Sequence, residues 1–152
     1  MNLLLAERWH PVAAFFGSSF LLNLLWENLQ APLYEGYLSF AQHFPICLRA
    51  TFGDMVFMAV IYGTLAVVYR DIWWMANPRT YRHPATWTLT ILTGTLLAVI
   101  FELWAVHVAQ RWQYTGAMPL IPVVEVGLVP VLQMLLIPLA ILAATSYITH
   151  RI

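Results

Sequence analysis

The chain has 152 residues, 61% of them hydrophobic and 9% charged, with a mean hydropathy of +0.73. Soluble domains carry about 25% charge, so this composition excludes an ordinary soluble enzyme and points to an integral membrane protein. Seven arginines balance seven acids, which leaves no basic face for nucleic acid; the single cysteine, Cys47, excludes an internal disulfide and any multi-cysteine metal centre.

The N-terminal MNLLLAERWHP has no basic leader region, and Glu7 stands beside Arg8, so no signal peptide is expected. A membrane span needs about 20 mainly apolar residues. The first such window, 11–30, carries Ser19, Asn23, Glu27 and Gln30 at spacings of four, four and three, which is one polar stripe along a helix. A link over 31–50 follows, with Pro32, Gly36 and Pro45 as turn residues and His43 between them. The second window, 51–69, opens on Asp54, and Pro78 and Pro84 punctuate the 70–85 link behind it. The third window, 86–108, sets Glu102 in a small-residue stripe of Gly94, Ala98, Ala105 and Ala109, the kind of face that admits a neighbouring helix closely. After a link at 109–122, the fourth window, 123–148, begins with Glu125 and contains Pro130, Gln133 and Pro138. These two prolines are expected to free helix carbonyls near Val126 and Met134. Trp9, Tyr69, Trp73, Trp74, Trp87, Trp112 and Tyr147 fall at the span ends, as an interfacial aromatic belt would.

The expected architecture is therefore all-α: one domain, an integral membrane bundle of four transmembrane helices. Arg8, Arg70, Arg79, Arg82 and Arg151 lie on one side and Arg49 and Arg111 on the other, so both termini are expected in the cytoplasm of a bacterium, with the chain in its inner membrane. In that topology Glu27, Asp54 and Glu125 fall close below the outer span ends and Glu102 about 9 Å down, at 1.5 Å per residue.

Acids in hydrocarbon cost roughly 2.5–3.5 kcal/mol each on the insertion scale, so a set of them at one depth reads as a built site. The expected catalytic residues are Glu27 and Glu102 as an acid–base pair, with Asp54 and Glu125 tuning them; Asn23, Gln30 and Gln133 would orient a substrate. Trp26, Trp104 and Trp112 could offer ring faces to a cationic intermediate. Structural roles stand beside these. Asp54 and Glu125 could snorkel to the headgroups, Asp54 could match a helix dipole, and Asn23 and Gln30 could simply join helices. No cofactor is expected. A metal ion has His43 and His107 as its weak candidates, since a dinuclear carboxylate bundle wants two Glu-x-x-His pairs and this chain has none. The expected partners are the bilayer and a lipophilic small molecule, with a homo-oligomer or a membrane-complex partner as further possibilities and no nucleic acid.

The strings LLWENLQAPLYEGY, RATFGD, FELWAVHVAQRWQY and MPLIPVVEVGLVPVLQ resemble a family of small bacterial four-helix membrane proteins of undefined role. More locally, Glu102, then Arg111-Trp112-Gln113-Tyr114, then a proline-rich turn into Glu125, resembles membrane-embedded lycopene and terpene cyclases, as does the Trp26-Glu27 pair. The chain departs from the carotenoid cyclases at Pro122-Val123-Val124-Glu125, where they usually show Pro-x-Glu-Glu. The resemblance implies acid–base chemistry on an isoprenoid or related lipid. The competing function classes are an assembly subunit of a membrane complex and an oligomeric carrier of protons, metal ions or a small solute.

Overall fold

The computed structural model describes the backbone of residues 2–149 and the side chains of residues 8–147. Long apolar runs with few interior breakers fold into α1 (Asn2–Gln30), α2 (Phe40–Tyr69), α4 (Pro84–Leu103) and α5 (Leu128–Thr149); a short α3 (Pro78–Arg82) lies between. Four stretches are long and apolar enough to cross a membrane: Arg8–Leu33, Phe40–Tyr69, Pro84–Val108 and Leu128–Tyr147. The fold is all-α apart from a two-residue antiparallel ladder, β1 (Leu120–Ile121) on β2 (Val126–Gly127).

The four long helices close a ring: α1 lies beside α2 and α5, and α4 also lies beside α2 and α5. Half of the α5 span is buried, against 22–28% of the others, so α5 is the most enclosed helix. Leu21, Leu25, Leu29, Val56, Leu92 and Leu96 stand exposed around the outside.

Two boundaries differ from expectation. α2 starts at Phe40, not near residue 51, because the Ser39 hydroxyl caps it by accepting from the Gln42 amide at 3.4 Å, and the helix carries Pro45 inside it. Asp54 is consequently the fifteenth residue of α2, about 21 Å from its start, too far for a dipole match at the helix N-terminus. The fourth helix starts at Leu128, so Pro130 sits in its first turn, where a missing N–H breaks nothing. Glu125 lies before the helix in a turn, at φ 52°, while Val126 pairs with Ile121 in the ladder.

Pro138 does lie inside α5, and it has no N–H to give the Met134 carbonyl. Gly94 of α4 packs directly on that carbonyl oxygen, in a contact that leaves no room for a Cβ. Gly94, Ala98, Glu102 and Ala105 are all buried, so the small-residue stripe faces protein. It stops before Ala109 because α4 runs into a π-helical turn at Trp104–Val108, which shifts the helical phase and leaves Ala109 exposed.

The end near α3 is plugged by Trp74, Met75 and Tyr81, which join Phe15, Met58, Ile61, Leu65 and Leu142 in the main core. Trp74 is thus a core residue and not part of an interfacial belt. Its indole N–H donates to the Tyr62 carbonyl at 3.3 Å.

Gly94→Val is expected to lower the unfolding free energy by about 1–3 kcal/mol through overpacking against Met134. Gly63→Val, where nothing lies within 4 Å of an added Cβ, is expected to change it by less than about 0.5 kcal/mol. Reversible unfolding in mixed detergent measures both; equal losses would remove the close α4–α5 contact.

Candidate functional site

The polar stripe of α1 turns inward: Ser19 and Asn23 are fully buried, Gln30 is 4% exposed, and Glu27 is half-buried. From α5, Gln133 reaches across with 1% exposure, and from α2 the half-buried Asp54 meets it. The bonds run in one direction. The Asn23 amide donates to the Ser19 carbonyl at 2.8 Å, so the Asn23 oxygen must accept. Gln133 Nε2 donates to that oxygen and to Asp54 Oδ2, both at 2.9 Å, so Gln133 Oε1 must accept in turn. Gln30 Nε2 fills it at 3.1 Å and also donates to Glu27 Oε1 at 2.7 Å. The carboxyls of Glu27 and Asp54 adjoin each other as well as Gln133.

This polarity leaves an acceptor over: Gln30 Oε1 is buried with no donor, while the indole nitrogens of Trp26 and Trp112 are buried with no acceptor. A buried acceptor in that condition costs about 1–3 kcal/mol and calls for an explanation.

Glu102 is 5% exposed on α4, and the Tyr114 hydroxyl donates to its Oε2. Tyr114 comes from the 109–127 link, which folds back over the site because its extended backbone bridges Tyr34. Glu35 N–H donates to the Gln113 carbonyl at 3.0 Å, and Thr115 N–H to the Leu33 carbonyl at 2.9 Å. Alternation in that strap turns Trp112 and Tyr114 inward and leaves Arg111 and Gln113 exposed. Trp112 stacks near Phe101 at 5.9 Å, and Tyr34 lies 5.6 Å from Tyr114, ring to ring.

Tyr34 joins the two groups of acids. Burial first, and then the carboxyls of Glu102, Glu27 and Asp54, push its phenol well above the ordinary range. Burial and the Glu102 bond do the same to Tyr114. Both phenols therefore remain protonated donors at any physiological pH. The Glu102 charge also reaches Glu27 and Asp54.

Other expected site residues lie elsewhere. Glu125 is exposed in its turn, because the helix that was to carry it inward begins three residues later. Trp104 is 42% exposed on the outer face of the π turn, with the Arg111 guanidinium 5.7 Å over its ring. Trp26 borders an apolar groove of about 210 Å³ between α1 and α5, and its indole nitrogen is buried without a partner. His43 packs on Tyr37, and the exposed His107 lies 3.3 Å from the Val124 carbonyl. Among the described residues no three His, Cys, Asp or Glu side chains converge closely enough to hold a metal ion.

Tyr34 and Tyr114 were the participants hardest to read from sequence. Tyr114 had a signal, the alternation of Arg111-Trp112-Gln113-Tyr114 after an acid; Tyr34 had none, since its place depends on pairing with a strand 80 residues away. No protein-family model, curated protein or solved structure matches this chain.

Proposed function

We propose that the protein is a multi-pass integral protein of the bacterial cytoplasmic membrane whose buried carboxyl site transfers protons on a lipophilic substrate, an isoprenoid or related lipid. The observation that carries this reading is the one-way amide chain from Ser19 through Asn23, Gln133 and Gln30, set beside the Glu102–Tyr114 pair. Packing alone does not call for three acids held among amides and phenols with no basic partner in their hydrogen bonds. Acids kept from water are suited to giving and taking protons.

Each group then has a role. Tyr114 donates to one oxygen of Glu102, and the other, with the Trp112 indole beside the carboxyl, would deliver or collect a proton. Glu27 and Asp54, adjoining each other beside Gln133, are the second proton station. The rings of Tyr34, Phe101 and Trp112 present π faces that favour a developing positive charge. This arrangement accords with the resemblance of the Glu102 to Tyr114 segment to membrane-embedded cyclases.

The arginine distribution favours an orientation with both termini and the α2–α4 link in the cytoplasm and the carboxyl site toward the outer leaflet. A reporter fused after Ile152 is expected to score as cytoplasmic and one inserted at Gly116 as external; the reverse pattern would overturn the orientation while leaving the site intact.

Glu102→Gln keeps size and hydrogen bonding and removes the transferable proton. Its activity is expected to fall by roughly 10²-fold or more with the fold retained, and Tyr114→Phe, which removes only the supporting donor, is expected to fall less. The readout is the lipid and isoprenoid profile of cells carrying each form. A profile that does not change between cells with the protein, cells without it and cells with Glu102→Gln contradicts the proposal.

A further inference from the structure

A second one-way chain runs into Glu102 from the strap. The Gly127 N–H approaches the Tyr114 oxygen, and the fit there is close, since a Cβ added at Gly127 would stand 3.1 Å from the Tyr114 ring. With a donor at its oxygen, Tyr114 sends its own proton outward to Glu102 Oε2. The Trp112 indole, which can only donate, stands beside both the Tyr114 oxygen and the Glu102 carboxyl. Three buried polar atoms lack partners among the described residues. Gln30 Oε1 sits on the amide that serves Glu27, Trp26 Nε1 belongs to a wall of the apolar groove, and Trp112 Nε1 stands at Glu102.

Donors favour the charged form of a carboxyl. Glu102 is thus met by groups that suit a carboxylate. Glu27 and Asp54 are placed differently. Each accepts one amide N–H, from Gln30 and Gln133 respectively, and beyond that each meets the other's carboxyl. Two carboxylates are acceptors only, so a pair within hydrogen-bond reach needs a proton between them. No base takes the place of that proton: Arg49 and Arg111, the arginines at this end, are both exposed, and Arg111 lies over Trp104. The other titratable groups near the acids are Tyr34 and Tyr114 from the links and Cys47 from α2, while α5 brings the neutral Gln133.

We infer that the two proton stations start in opposite states: the Glu27–Asp54 pair holds one proton and is the acid, and Glu102, kept as a carboxylate by Tyr114 and Trp112, is the base. This rests on the proton-transfer reading above and gives that site its direction. The pair gives its proton to one carbon of an isoprenoid double bond, whose π electrons form the new C–H bond and leave the neighbouring carbon positive. Glu102 takes a proton from a carbon next to that cation, and the electrons of the broken C–H bond close a new double bond. Substrate and product are isomers, no oxidant or second reactant is used, and return of the proton from Glu102 to the pair restores both stations. Tyr114 and Trp112 act through Glu102 and are positioning residues.

The test is infrared spectroscopy of the full chain at neutral pH in dodecyl maltoside, a detergent without carbonyl groups, with exchange into heavy water to mark protonated carboxyls. The parent is expected to show such a band. Glu27→Gln and Asp54→Asn are each expected to shift or remove it, and Glu102→Gln to leave it in place. Trp112→Phe keeps an aromatic ring and removes the indole N–H. On acidification its Glu102 band is expected to appear about one pH unit higher than in the parent, the scale of one hydrogen bond to a charged group. A parent with no protonated-carboxyl band overturns the inference, and this observation needs no variant to fold. So does a band lost in Glu102→Gln and unmoved in both Glu27→Gln and Asp54→Asn. An unmoved Glu102 band in Trp112→Phe overturns the role given to Trp112. Failure here is separable from failure of the enzyme reading: a proton found on Glu102 together with a Glu102-dependent lipid profile only exchanges acid and base. The expected bands with an unchanging lipid profile keep the proton arrangement and sink the chemistry.

Discussion

Gln133 holds the structure's polar interior together. It is the side chain that reaches from α5 to both α1 and α2, through Asn23 and Gln30 on one and Asp54 on the other. In an apolar surround, hydrogen bonds between helices contribute about 0.6 kcal/mol each on average, and up to about 1.7. They also set direction, because an amide that donates with one end must accept with the other, and that constraint travels from the Ser19 carbonyl to Gln30. The unpartnered Gln30 oxygen follows from this order and is no isolated defect.

The rest of the fold brings Gln133 into place. Pro138 takes an N–H from the α5 ladder and leaves the Met134 carbonyl for Gly94 to pack on, which draws α4 and α5 together one residue from Gln133. The same small-residue face carries Glu102, so the approach that suits Gly94 also carries the third acid inward. At that end the 109–127 link and the residues after α1 pair through Tyr34 and Tyr114, covering the acids with two phenols. At the other end Trp74 and its neighbours seal the bundle with a conventional apolar core.

Much of this was legible in the sequence because it rests on local periodicity. The stripe Ser19, Asn23, Glu27, Gln30 and the small-residue face around Glu102 are both helical repeats, and a repeat is visible without knowing what it packs against. The failures share a different cause. Pro45 read as a turn residue, yet it sits within a helix capped by Ser39, and that moved Asp54 from a helix end to mid-helix. Pro130 read as a break, yet it falls in the first turn, and the ladder ahead of it holds Glu125 outside. Proline has opposite meanings at different distances from a helix start, so an error of a few residues in a boundary reverses its reading. Tyr34 depended on a pairing 80 residues distant, and Trp74 on a link that folds inward; neither is a property of the local sequence.

The unfolding free energy of Gln133→Leu, measured in detergent beside Asp54→Asn and the double variant, tests this account most directly. Leucine matches the surrounding hydrocarbon but strands the oxygens of Asn23 and Asp54 and frees the Gln30 amide, so a loss of about 2–4 kcal/mol is predicted. A coupling energy of about 0.5 kcal/mol or more is predicted between positions 54 and 133. A Gln133→Leu protein as stable as the parent, with effects that simply add to those of Asp54→Asn, would contradict a site organised around Gln133.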